Sequence, residues 1–274
     1  IRTGGAATTQ PLPVNTTPAL TNQLALWLDA SKNVIQQDGA VSHWFDVRDL
    51  PAPPVGESGV TNYPWARRET GANAPLAATD ATGKPCVDFG VRVAGTGGAW
   101  LQWTAQDADV WQCTNVYTVV MAVACENGGG SFLGDLQSSD FPRGLAAATG
   151  GRYLLQHGVS SPSLIQGDAY VDGELVDPLK SCPKSGCQIL TFVMRSKNET
   201  TLPMVCAANF GRDRDEETGG FRLYEVLIYD RVLNEDERIL ISQYLDEKWF
   251  GRDMAGDLEV APDTEIGIHT AVDD

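Results

Sequence analysis

The segment GRDRDEETGG places Asp213, Asp215 and Glu217 at every second position. On a strand that spacing puts three carboxylates on one face, where a pair about 5 Å apart could act as nucleophile and acid in retaining glycoside hydrolysis. In a loop the same groups offer clustered oxygen ligands of the kind calcium takes. The surroundings argue for a plainer role. Arg212 and Arg214 interleave the acids, Gly219 and Gly220 end the run, and no apolar neighbour is at hand to raise a carboxyl pKa. A solvated turn is the first expectation, with a calcium loop as the alternative.

Other reactive residues form no recognised set. His43, His157 and His269 are scattered without metal-ligand spacing, and there is no Gly-x-Ser-x-Gly elbow or phosphate loop. Six cysteines stand at 86, 113, 125, 182, 187 and 206, a usage that suits an oxidising compartment. The short loop CPKSGC can turn back on itself, so a Cys182–Cys187 disulfide is expected. Cys86, Cys125 and Cys206 sit among strand-like apolar residues and read as small buried hydrophobes.

Sugar recognition would call for aromatic faces to stack on pyranose rings and for polar side chains to reach the hydroxyls. Tyr63 and Trp65 flank Pro64 in TNYPWARRE, with Arg67 and Arg68 beside them. They are the prime ligand-binding candidates, although a long loop can also use an aromatic ring to pin itself down. Trp103 in AWLQWT either joins them on a concave sheet surface or belongs to the core. Trp27, Trp44 and Trp249 are expected in the core.

These residues must be carried by strands. Asp38-Gly39 and Asp172-Gly173 are hairpin signals inside alternating segments. Further short strands are expected in PCVDFG, AWLQWT, YTVVMAVAC, GRYLLQHG, QILTFVMRS, PMVCAANFG and FRLYEVLIYD. Leu223 to Tyr229 is apolar on both faces at its centre, as in an interior strand. Directly after it, Asn234 and Glu237 form a capping-box pair, Leu240, Ile241, Tyr244, Leu245 and Trp249 make an apolar side, and Gly251 marks the stop. Many strands, short links and one late amphipathic helix indicate an all-β sandwich or jelly roll.

Residues 1–22, rich in Thr, Pro, Ala and Gly, read as a flexible arm or linker, 23–251 as one domain and 252–274 as an acidic tail. The chain has 274 residues, 36 acidic and 20 basic, for a net charge of −16. That balance opposes binding to nucleic acid and to anionic membrane surfaces. No apolar run reaches the roughly 20 residues that span a bilayer. Beginning at Ile1, the chain reads as part of a processed or longer protein.

Four segments, LALWLDAS, VSHWFDVRD, GKPCVDFG with AWLQW, and FRLYEVLIYDRVLNEDERILISQYLDEKW, resemble in order and separation the laminin-G-like/concanavalin A-like lectin and glucanase domains of bacterial secreted and surface proteins. The resemblance covers residues 22 to 251. It implies a concanavalin A-like jelly-roll sandwich of two antiparallel sheets and a role as a binding or adhesion module. The Glu-x-Asp-x-(x)-Glu motif of that fold's glucanases is missing, and the insertion LPAPPVGESGVTNYPWARRE departs from the family pattern. Three functions are therefore open. The first is a secreted or cell-surface carbohydrate-binding module without cofactor, or with calcium. The second is an adhesive subunit using its termini for protein contacts, and the third is a glycoside hydrolase. In the first two, Glu225 and Asp230 would serve only to fix the turn into the helix.

Overall fold

A computed structural model describes residues 21–252 except 50–62, 69–72, 95–96, 108, 126–131, 135–144, 147–151, 156–159, 183–185, 195–204 and 214–216. The expected arm and acidic tail lie almost wholly outside the described residues. Within them the protein is all-β and antiparallel, a sandwich closed by one long C-terminal helix.

The organising strand is Phe221–Tyr229. It pairs along one edge with Thr118–Cys125, which pairs in turn with Gly186–Val193. Every residue of Thr118–Cys125 is buried, as is all but one of Phe221–Tyr229. Strands with no solvent-facing side must be covered on both faces, which is why their sequences read as continuous apolar runs.

On its other edge the closing strand forks. Arg222 and Leu223 pair with Asp88 and Val87 of Pro85–Asp88, whereas Glu225 to Tyr229 pair with Asp29 to Leu24 of the opening strand Leu24–Asp29. The register against Thr118–Cys125 shifts at the same point, because Ala122 faces Glu225 but Val123 faces Leu223. Tyr224 is the extra residue of a β-bulge, which bends the strand and breaks strict alternation. Phe221 packs toward Phe89 and Phe132 between the layers. Tyr224 and Glu225, adjacent in sequence, both reach the helix side.

The two hairpins have the expected chemistry. Asp38 and Gly39 have φ of 52° and 82°, and Asp172 and Gly173 repeat those values, as a type I′ turn demands. The second layer carries Ala40–Trp44, Trp65–Arg67 and Leu101–Thr104 in sequence across the sheet. Its inward residues, Trp44, Ala66, Leu101 and Trp103 with Phe210 of Asn209–Phe210, are essentially inaccessible to solvent.

The closing helix, Glu235–Trp249, starts as its sequence dictates. The Asn234 side chain accepts from the Glu237 backbone N–H and the Glu237 carboxylate accepts from the Asn234 N–H, both at 2.9 Å. Gly251, at φ 63°, ends it with an N–H to the Asp246 carbonyl at 2.8 Å. The buried stripe is Ile241, Ser242, Leu245, Asp246 and Trp249. Leu240 and Tyr244, expected on that face, are only half-buried. The stripe is rotated to include two polar residues, Ser242 and Asp246, of which Asp246 holds Arg252 at 2.6 Å.

Replacing Asn234 with Ala should lower unfolding free energy by about 1 kcal/mol, and Asn234→Asp should retain most of it. Urea titration with an unchanged slope would record this.

Candidate functional site

Two places collect functional side chains, and only one faces outward. The sealed one lies where the fork meets the helix. Asp29 and Glu225 are opposite one another in register and both are fully buried. The Lys248 ammonium reaches between them, 2.6 Å from Asp29 Oδ2 and 2.5 Å from Glu225 Oε2. Two carboxylates sharing one nitrogen at those distances lie within about 5 Å of each other, the separation of a retaining glycosidase pair.

The remaining hydrogen bonds decide what the pair does. Glu225 Oε1 accepts from Trp27 Nε1 at 2.6 Å and from the Tyr244 hydroxyl at 2.9 Å, and Oε2 also accepts from Trp249 Nε1 at 2.8 Å. Asp29 Oδ1 takes the Ser31 N–H and hydroxyl at 2.8 and 2.6 Å. Glu225 is thus saturated by donors from a strand and a helix. Burial raises its pKa above the usual carboxylate value, against the opposing pull of Lys248. A carboxyl without solvent, cleft or spare acceptor site has no route to a glycosidic oxygen. This cluster ties the helix to the sheet. Sequence reading placed Glu225 at a strand end as a turn-fixing group. It does bond to the helix, but from the middle of the closing strand, whereas Asp230 is exposed.

A second buried carboxylate holds an arginine against Tyr63. Asp46 accepts Arg48 Nε on Oδ1 and Arg48 Nη2 on Oδ2, both at 2.8 Å, and takes the Trp27 N–H at 2.8 Å. This bidentate pair fixes the guanidinium, which lies 3.8 Å above the Tyr63 ring centre. The Tyr63 N–H donates to Asp49 Oδ2 at 3.1 Å. Tyr63 is therefore half-buried and held from both ends.

The outward face follows from strand alternation. With Trp44, Ala66 and Trp103 pointing into the sandwich, the alternate residues occupy the other side of the same strands: His43, Trp65 and Arg67 are half-buried there, and Gln102 and Thr104 are covered. Phe45 links them: His43 stacks on it at 5.6 Å with planes 8° apart, and Trp65 meets it at 5.8 Å with a tilt of 37°. His43 stands opposite Arg67, and burial together with that guanidinium holds its pKa below the usual imidazole value. Arg67 Nη2 makes long contacts of 3.3 and 3.4 Å to the Asp109 carbonyl and carboxylate. The Asp109 carbonyl also accepts from Gln102 Nε2 at 2.9 Å, which ties that loop over one flank of the face.

Of the ligand-binding candidates, the structure brings Trp65 and Arg67 together on this face, while Tyr63 packs under the Arg48 guanidinium. Trp103 is a correction. It is fully buried, 5.0 Å from Phe210 and 5.8 Å from Trp111, because its strand register turns it inward with Ala66. His43 and Phe45 were missed, although both lie in the quoted segment VSHWFDVRD. The alternation of His43 and Phe45 about the buried Trp44 was the available signal.

The expected acidic triplet is only partly described. Asp213 and Glu217 face each other across a two-residue antiparallel pair, and Asp215 lies outside the described residues. Among the described residues no group of three or more His, Cys, Asp or Glu side chains is arranged to hold a metal. The expected Cys182–Cys187 bond is not formed, and both are exposed thiols. Strand pairing with Ala124 directs Cys187 elsewhere, leaving its sulfur 3.7 Å from the Tyr224 hydroxyl. Trp27, Trp44 and Trp249 are core residues as expected, and so are Cys86 and Cys125.

No family model matches the chain, and no curated protein matches it. Among solved structures, a Trypanosoma rangeli sialidase in complex with sialic acid is 16% identical, with a TM-score of 0.36, over 88% of this chain and 36% of the sialidase chain. The same sialidase with 2,3-difluorosialic acid gives 15% identity and a TM-score of 0.36 over 89% and 37%. This chain spans little more than a third of those sialidase chains, and at that level they assign it no site.

Lys248→Met should cost about 3–5 kcal/mol, since it strands two buried carboxylates. The sign with pH is fixed. Glu225 already has a folded pKa above its unfolded value, and loss of the ammonium raises it further, so the ionised form opposes folding above that pKa. The deficit of the variant against the parent should shrink as pH falls from about 8 to about 5. Urea titrations at the two pH values test this.

Proposed function

We propose that this chain is a non-catalytic recognition domain of a secreted or cell-surface protein, and that it binds a glycan on the outward face carrying Trp65 and Arg67. The observation that carries the reading is the row His43, Phe45 and Trp65 with Arg67 at its end. A half-buried indole seated on a fixed aromatic base offers a rigid apolar surface to a sugar ring. Beside it, a guanidinium whose contacts among the described residues are long can exchange them for sugar hydroxyls. Immobilising the support in advance lowers the entropic cost of binding, and the ring contacts of Phe45 with His43 and Trp65 do that here.

The non-catalytic part is supported by the sealed state of the Asp29–Glu225 pair, which has glycosidic spacing but no access. No cofactor enters the reading. An adhesive role through the termini remains a separate proposal, since those segments lie outside the described residues.

A glycan array followed by affinity electrophoresis in diverse polysaccharides tests the reading. A retained polysaccharide should lose retention on Trp65→Ala by about tenfold or more, as for loss of an aromatic hot spot, while Trp111→Ala should change it little. Unaltered retention by the Trp65 variant, or retention of nothing with and without calcium, would falsify the assignment.

A further inference from the structure

The fork creates a second place where a ligand fits. The opening strand and Pro85–Asp88 leave the closing strand by the same edge, so the turn after Asp29 and the hairpin Leu76–Thr79/Pro85–Asp88 separate. Between them lies a cavity of about 280 Å³ lined by Ser31, Lys32, Asn33, Gln36, Thr79 and Cys86, among others. That volume is at the small end for ligand sites and suits one ring-sized molecule rather than a polymer.

Its lining divides into fixed walls and available groups. The Ser31 hydroxyl is committed to Asp29 at 2.6 Å and the Asn33 amide to the Asp46 carbonyl at 2.9 Å. Cys86 is a buried wall whose thiol is pushed up to about 11, so it stays protonated and unreactive. Gln36 and Thr79 are exposed, and their side chains have no hydrogen-bond partner among the described residues. Lys32 has as its nearest acid oxygen Asp29 Oδ2 at 3.8 Å, and that oxygen already holds Lys248 at 2.6 Å. The cavity thus offers one ammonium, one amide and one hydroxyl, all without close partners.

We infer that this cavity binds a small hydroxylated carboxylate of the size of a single sugar acid, with Lys32 on the carboxylate and Gln36 and Thr79 on the hydroxyls. One point charge without a guanidinium fork suits a monoanion better than a phosphate dianion, whose second charge would meet the field of a chain at −16. The site shares no residue with the Trp65 face, so it stands or falls independently of glycan binding there.

Isothermal titration of the full chain with glucuronate, glucose and inorganic phosphate in parallel provides the test. Glucuronate should bind more tightly than either control. Lys32→Ala should weaken it about tenfold or more, the worth of one charged hydrogen bond, Lys32→Arg should restore part of that, and Trp65→Ala should leave it unchanged. Absence of glucuronate binding overturns the inference. So do equal binding by Lys32→Ala, loss of binding in Trp65→Ala, and phosphate or glucose binding as tightly as glucuronate.

Discussion

One ammonium between two buried carboxylates determines how this molecule is put together. Lys248 comes from the last turn of the helix, Asp29 from the end of the first strand and Glu225 from the middle of the last, so a single nitrogen joins elements 219 and 23 residues apart in the chain. Such a cluster adds little stability over a well-packed apolar one, yet losing one member is costly. Its contribution lies in specification. Asp29 and Glu225 meet in register, and a slip of one residue between the two strands would turn one carboxylate away from the other.

The bulge at Tyr224 makes this geometry possible. By placing Tyr224 and Glu225 on one side it gives the helix end both an aromatic surface and an acid. Tyr224 packs 5.5 Å from both Trp249 and Phe250 while Glu225 takes the Trp249 indole N–H. The same bulge separates the partners of the closing strand, and the cavity beside Lys32 opens in that gap. Lock and pocket therefore share one irregularity. The face carrying Trp65 and Arg67 is built differently, on regular alternation across Ala40–Trp44, Trp65–Arg67 and Leu101–Thr104.

Much of the fold was legible because its signals are local. The Asp-Gly turns, the capping box and the glycine stop each depend on a handful of consecutive residues, and each forms as read. The interior position of the closing strand was legible from its apolar run. The lock was not, since Glu225 and its strand partners lie about two hundred residues apart in part, as with Trp27 at a separation of 198. An isolated acid inside LYEVLIY was nevertheless a sign, because a carboxylate there needs donors from elsewhere. Trp65 and Arg67 could be picked out as loop residues beside a proline. Whether Trp103 joined them depended on a register between Trp65–Arg67 and Leu101–Thr104 that no single strand encodes.

The central claim is that the buried charges make helix and sheet one cooperative unit. Native-state hydrogen exchange in increasing denaturant measures this directly. The account predicts that the amides of Leu245 in the helix and of Val120 and Leu227 in the central strands open with the same free energy and the same denaturant dependence. Helix amides that exchange through a separate, lower-energy opening while those strand amides stay protected would contradict it.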